Sequence, residues 1–170
     1  MENLCQKCGK IHSGWPAITF SAPYSFNVLN DEDKSRYVKE LNEDFCVLEY
    51  EDQTDRFIRA VLFQTVTDCC EELQYGVWVS LSEKNFDEYN NNFFSQEQAG
   101  TYFGFLNSQI PEYKNTIGIK TNVVLSRGRQ RPEIIPHLDQ MDIDFVRDYY
   151  DGIAKADAED RINKVISSRK

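Results

Sequence analysis

Side chains alternate between two faces along several segments of the chain, and this pattern restricts the fold more than any other. In residues 56–66, Ile58, Ala60 and Leu62 share one face, and residues 116–126 alternate in the same way. A period of two residues is that of a β-strand, whereas a helix repeats every 3.6 residues. The chain is therefore expected to build a sheet, in which the strand at 116–126 has one exposed face.

Further segments complete a mixed fold. Apolar runs at 44–50 and 75–81 predict two more strands, and the polar turn after Tyr50 predicts a hairpin between 44–50 and 56–66. Helical periodicity and capping residues predict helices in five segments: 30–42, 83–92, 101–109, the segment between Pro136 and Gly152, and 156–168. The expected architecture is one α+β domain over residues 1–170, with a mainly antiparallel sheet covered by helices.

The charge of the chain narrows its possible partners. Acidic residues number 28 against 19 Lys and Arg, and the formal net charge is −9. A field of this sign opposes nucleic acids and anionic membranes and favours a basic protein partner. The chain has no basic, apolar leader and no stretch of about 20 apolar residues, and its five cysteines are not spaced as a disulfide framework. We therefore expect a cytoplasmic protein.

The most specific chemical motif lies near the start of the chain. Cys5 and Cys8 are two residues apart, Gly9 follows, and His12 comes four residues after Cys8. Two cysteines at this spacing can turn both sulfurs onto one ion, and a nearby histidine can join them. The motif predicts a metal-knuckle segment within residues 1–16, packed on the domain. The alternative is a terminal segment with two incidental thiols.

Cys46 is a candidate fourth ligand, because it lies on the first strand of the predicted hairpin. Three sulfurs and one imidazole would form a closed tetrahedral zinc site, which is the structural type rather than the catalytic one. A free cysteine is equally often a small buried core residue. Both interpretations of Cys46 stay open from the spacing alone.

Other reactive residues form no familiar set. The adjacent Cys69 and Cys70 are poorly placed to hold one ion and are interpreted as structural or incidental. The basic cluster Arg127–Arg131 could bind an anion through arginine forks, but a solvated turn that balances nearby acids is the preferred interpretation. The sequence has no phosphate loop, no dinucleotide fingerprint and no nucleophile elbow.

An ordered series of short motifs resembles a known family. The series runs C-x-x-C-G-x-x-H-x-G-W-P at Cys5–Pro16, DFCV at 44–47, FIR at 57–59, GVWVSLS at 76–82, YFGFL at 102–106, IPEY at 110–113 and RP at 131–132. Together these residues resemble the uncharacterised bacterial family called domain of unknown function 2199, over about Cys5 to Ile153. The resemblance implies no activity, but it implies a shared metal site at positions matching Cys5, Cys8, His12 and Cys46.

Two classes of function are compatible with these observations. The first is a protein-binding domain of adaptor or immunity type, carrying a structural zinc ion. The alternative is a metal-dependent or other hydrolase-like enzyme, which needs an open metal position or a pocket around residues such as Arg59, Asp68 and His137. The sequence identifies neither a partner nor a substrate.

Overall fold

The computed structural model describes residues 3–4, 9, 11–12, 14–95, 97–128 and 130–168, with residues 3–4 and 11–12 described by their backbone alone. The strands are β1 (Asn3–Leu4), β2 (Ile11–His12), β3 (Ile18–Thr19), β4 (Val38–Leu41), β5 (Phe45–Glu49), β6 (Thr54–Gln64), β7 (Leu73–Leu81), β8 (Gly100–Leu106), β9 (Lys120–Leu125) and β10 (Glu133–Pro136). The helices are α1 (Tyr24–Asn27), α2 (Asp31–Tyr37), α3 (Glu83–Asn91), α4 (Asp144–Asp151) and α5 (Lys155–Ser168), with a 3-10 turn at Leu138–Gln140.

Strand β6 is the centre of the sheet because it pairs with three other strands. It is antiparallel to β5 along its first half and to β7 along most of its length. Ile58, Ala60 and Leu62 on one face of β6 are fully buried, as the alternation predicts. The predicted hairpin between 44–50 and 56–66 is thereby confirmed as β5–β6, and the sheet is mainly antiparallel.

Five strands close into a barrel. From β6 the chain runs through β7, β8, β9 and β10, each antiparallel to the one before it. Strand β10 then returns to β6 in parallel, through the pair Glu133 and Val61. The barrel interior holds the large buried side chains of the main core, among them Tyr75, Leu106 and Ile134. The predicted mixture of helices with a mainly antiparallel sheet is confirmed, and the structure adds that the sheet closes on itself and encloses much of its own core.

Side-chain caps begin two of the helices. The side chain of Asn30 accepts a hydrogen bond of 2.8 Å from the backbone N–H of Asp33 at the start of α2. Ser82 caps α3 in the same way, through the N–H of Asn85 at 3.3 Å. These side chains satisfy backbone donors that a helix start leaves free. The predicted helix 30–42 is nevertheless too long, because Val38 to Leu41 pair with β5 as strand β4.

The predicted helix at 101–109 is wrong, since this segment contains strand β8. Phe103 and Phe105 point outward with 45% and 44% of their surface exposed, whereas Gly104 and Leu106 are buried. Apolar residues on both faces hide the alternation that marks a half-buried strand. Aromatic enrichment and an interior glycine are the strand signals that remain. Strand β10 was not predicted at all.

Outside the barrel, α3 and α4 pack against β6. A second cluster of buried residues lies on the outer face of the β5–β6–β7 sheet and is formed by Cys46, Leu48, Phe57 and Trp78. In the described part of the chain, no helix has the length and apolar character to cross a membrane.

Candidate functional site

The predicted metal knuckle lies mostly outside the residues that the structure describes. Cys5 and Cys8 are not among them, and His12 is described by its backbone in β2. The antiparallel pairing of β1 with β2 sets Asn3 opposite His12 and Leu4 opposite Ile11. Cys5 and Cys8 therefore belong, in sequence, to the connection between two paired strands.

Cys46 lies in β5 with no exposed surface, among Leu48, Phe57 and Trp78. Burial, and after it the charge of Glu40, raise the pKa of the Cys46 thiol to about 12. Among the described residues no group of three or more His, Cys, Asp or Glu side chains could hold a metal ion. The described neighbours of Cys46 are thus those of a thiol in a hydrophobic core.

The residues that an enzyme would need are not brought into one set of contacts. Arg59 lines a cavity with Ser21 and Arg131. His137 lines a different cavity beside Asn122. Asp68 accepts a hydrogen bond of 2.7 Å from the backbone N–H of Lys155, where α5 begins, and thus has a structural role.

The outer surface of β8, β9 and β10 carries exposed aromatic rings. We call Phe103, Phe105, His137 and Leu138 the aromatic face. The ring centroids of Phe103 and Phe105 are 4.9 Å apart, and those of Phe103 and His137 are 5.5 Å apart. Leu138, which follows His137 in the chain, is 62% exposed. Exposed apolar groups that cluster, rather than stand singly, are typical of interaction sites.

Strand pairing holds these side chains in register. Phe103 on β8 is opposite Asn122 on β9, and Phe105 is opposite Lys120. The backbone N–H of His137 donates to the Lys120 carbonyl at 2.9 Å, and its Nε2 lies 2.9 Å from Asn122 Oδ1. Phe103 and Phe105 therefore lie on a paired strand, and two hydrogen bonds hold His137 against β9, which favours a preformed binding surface.

Two cavities meet at Arg131, on another part of the barrel surface. One, of about 570 Å³, is lined by Ser21, Leu41, Asn42, Glu43, Arg59 and Arg131, and we call it the arginine groove. The other, of about 590 Å³, lies between α3 and the segment before β10, and Gln98 contributes to it. Both volumes fall within the range typical of small-molecule sites.

Arg131 is the described member of the basic cluster that has a clear ion pair. Its Nε donates to Asp44 Oδ1 at 2.9 Å, with the two side chains 40% and 26% exposed. The preferred interpretation of the cluster, a turn that balances nearby acids, agrees with this contact. Of the adjacent cysteines, Cys69 is half-buried and accepts a long contact of 3.5 Å from the backbone N–H of Glu71.

Sequence reasoning missed the aromatic face because it assigned the segment of Phe103 and Phe105 to a helix. Two phenylalanines separated by one glycine, in the string Phe103-Gly104-Phe105, put both rings on the same side of a strand. Recognising that segment as a strand would have shown that Phe103 and Phe105 share its exposed face with Thr101.

A family model described as "Uncharacterized protein conserved in bacteria (DUF2199)" matches residues 4–153, which is most of the chain. No curated protein and no solved structure matches it. The matched segment includes the aromatic face and the arginine groove, and α5 follows it.

Proposed function

Since the chain belongs to the bacterial family DUF2199, which brings no activity with it, we propose from the structure that it is a protein-binding domain. The aromatic face is its binding surface, and its partner presents a basic segment. The observation that carries this proposal is the contact between the exposed rings of Phe103 and Phe105, held side by side on a paired strand.

Burial of the two rings is the source of affinity. Each phenyl ring that loses its contact with water contributes roughly 25 cal/mol per Å² of apolar area. Ring centroids 4.9 Å apart form one continuous apolar patch, so a single partner side chain can contact both rings. Interfaces commonly draw their affinity from a few aromatic residues of this kind.

The charge of the protein selects the partner. A net charge of −9 attracts basic proteins at long range. At short range, the faces of Phe103 and Phe105 can each accept a lysine ammonium or an arginine guanidinium, which is worth about 0.5–1 kcal/mol at an exposed site. Lys120 on the neighbouring strand is paired with Asp139 at 3.2 Å, which reduces the local repulsion of a basic ligand.

Selection from a displayed library of random peptides tests this function. We expect the purified protein to enrich peptides that contain Lys or Arg, and their affinity should fall as salt rises. The double variant Phe103→Ser with Phe105→Ser should lose binding by about tenfold or more. Ile166→Ser, which removes an apolar side chain of the same 44% exposure on α5, should bind as the wild type does.

Either of two results would contradict the proposal. The first is enrichment of acidic peptides or of none. The second is equal binding by the double variant and the wild type, which would place the binding surface elsewhere.

We also propose that the N-terminal segment holds a structural zinc ion through Cys5, Cys8 and His12, with Cys46 as the candidate fourth ligand. The spacing of the first three residues supports this, as does the pairing of β1 with β2, which brings the backbone of His12 opposite Asn3. Gly9 has a φ of 66°, a left-handed conformation that suits a tight turn after Cys8. Zinc would join the segment to the domain and would contribute to folding rather than to chemistry.

Elemental analysis of protein purified without chelator tests the zinc site. We expect one zinc per chain, lost in Cys5→Ser and in Cys8→Ser. Cys46→Ala separates the two interpretations of Cys46, because a ligand loses zinc on this change whereas a core thiol keeps it. Protein without zinc in the wild type would refute the site, and Cys69→Ser serves as the control cysteine variant.

A further inference from the structure

Arg59 has no direct partner for its charge among the described residues. It lies on the outer face of β6, and its guanidinium carbon is 5.3 Å from the centre of the Trp78 ring on β7. Its Nε is enclosed and has no hydrogen-bond partner. An enclosed donor without an acceptor costs about 1–3 kcal/mol, which a ligand could offset.

The residues around Arg59 leave space for this side chain. A Cβ added at Gly76 would lie 3.5 Å from an Arg59 terminal nitrogen and 3.1 Å from Thr19 Cγ2. The absence of a side chain at Gly76 thus allows the guanidinium to lie close to β7. Stacking on Trp78 fixes its plane, so that fewer conformations are lost when an anion binds.

Arg131 brings a second guanidinium to the arginine groove. Asp44 accepts from its Nε, and the terminal nitrogens of Arg131 have no hydrogen-bond partner in the described part of the chain. Burial, and after it the charge of Arg131, lower the Arg59 pKa, while Asp44 and Glu43 act in the opposite direction. The two cations therefore repel each other across the same cavity.

We propose that the arginine groove binds the oxyanion, a phosphate or a carboxylate, of a small acidic molecule. Two planar guanidiniums that line one cavity are the donors that such groups prefer. The hydroxyl of Ser21 lines the same cavity and adds a possible donor. The adjoining cavity is also lined by Arg131, so the rest of the ligand can extend past this residue.

Two carboxylates set the strength of this binding. Asp44 competes for Arg131 but leaves its terminal nitrogens available. Glu43 lines the groove and has an exposed side chain, so it repels a bound anion. Removal of the Glu43 charge should therefore strengthen binding, an effect that a purely structural role of the arginines would not produce.

Titration with inorganic phosphate and with citrate, at constant ionic strength set by sodium chloride, tests the proposal. The readouts are calorimetric affinity and the midpoint of thermal unfolding. We expect saturable binding by the wild type, weakened about tenfold or more in Arg59→Gln and in Arg131→Gln. Glu43→Gln should bind roughly two- to fivefold more tightly. Arg147→Gln, which removes an exposed arginine that is paired with Asp144, is the matched control and should bind normally.

The relative affinities identify the ligand chemistry. Tighter phosphate binding indicates a phosphate ester, and tighter citrate binding indicates a carboxylic acid. The proposal is overturned if neither anion binds above chloride, or if Arg131→Gln and Glu43→Gln both bind as the wild type does. Should Arg59→Gln fail to fold, these two variants of partly exposed residues decide the question alone.

Discussion

Arg161 is the one charged side chain among the described residues that is almost fully buried, with 6% of its surface exposed. Its guanidinium, on α5, donates to Gln64 Oε1 at 3.0 Å and to the hydroxyls of Tyr75 and Tyr113 at 2.9 and 3.0 Å. Tyr113 in turn donates to Asp148 Oδ2 at 2.8 Å. The arginine therefore satisfies three polar groups at once, and α5 is fastened to the barrel by them.

Replacement of this arginine tests the network. We expect Arg161→Met to lower the free energy of unfolding by about 2–4 kcal/mol, because the buried Tyr75 hydroxyl would lose its donor, and Gln64 Oε1 and the Tyr113 hydroxyl would accept only hydrogen bonds of 3.4 Å. Lys164→Met on the same helix breaks only an exposed pair with Asp160 and should leave the free energy of unfolding nearly unchanged. Urea denaturation measures both. Equal effects of the two changes would show that the network contributes little.

At the scale of elements, the contact between β7 and β8 is short and depends on one glycine. The two strands pair only at Val79 with Leu106 and at Ser80 with Phe105. A Cβ at Gly104 would lie 2.5 Å from the Ser80 carbonyl oxygen and 2.7 Å from Val79 Cγ2. Since the first of these atoms belongs to the backbone, the clash could be relieved only by moving a strand.

Gly104→Ala should therefore destabilise the barrel by about 1–3 kcal/mol, the usual cost of overpacking a core. Thr101→Ala, at an exposed position of the same strand, should cost much less. Thermal unfolding of both variants measures the difference. If Gly104→Ala is as stable as Thr101→Ala, the two strands can separate without cost.

Local patterns predicted the elements whose residues alternate cleanly, and long-range pairing decided the rest. The alternation in β6 and the caps Asn30 and Ser82 depend on neighbours within a few residues. Helix α2 ends where it does because Val38–Leu41 pair with β5 as strand β4, with Val38 opposite Leu48 and Leu41 opposite Cys46. Closure of the barrel depends on the pairing of Val61 with Glu133, which cannot be predicted from the residues near either of them in the sequence.

The candidate sites also divide into those that local sequence predicts and those that long-range strand pairing creates. The spacing of Cys5, Cys8 and His12 is local, so the sequence alone could suggest a metal site. The aromatic face and the arginine groove are assembled from separate strands, so their residues become neighbours only through the sheet register. Arg59 and Arg131 are far apart in the chain and share one cavity because β10 returns to β6.

For the whole molecule, the buried Tyr75 and the half-buried Tyr149 link the free energy of unfolding to alkaline pH. Burial raises the pKa of Tyr75 to about 12, against the opposing effect of Arg161. Burial, and after it the charge of Glu133, raise the Tyr149 pKa to about 12. Both groups hold their protons more tightly in the folded state than in the unfolded state, where tyrosine has its ordinary pKa of 10.0.

The free energy of unfolding should therefore keep this contribution below pH 10 and lose it as the pH rises from about 10 to 12. A shift of this size at Tyr75 corresponds to about 2–3 kcal/mol. Tyr149→Phe should weaken the pH dependence while the protein stays folded at pH 7. Urea denaturation between pH 7 and 11.5 measures the profile, and a flat profile in the wild type would contradict it.

Closure of the barrel also has a consequence for how quickly the chain can acquire its native state. Val61 and Glu133 are 72 positions apart, and the parallel seam between β6 and β10 forms only when they meet. Neighbouring hairpins such as β6–β7 can form earlier because their loop-closure entropy is smaller. Proteins dominated by distant contacts refold in milliseconds to seconds. During that interval β10 and the part of the β6 edge that it pairs with are exposed, so refolding yield should fall as protein concentration rises.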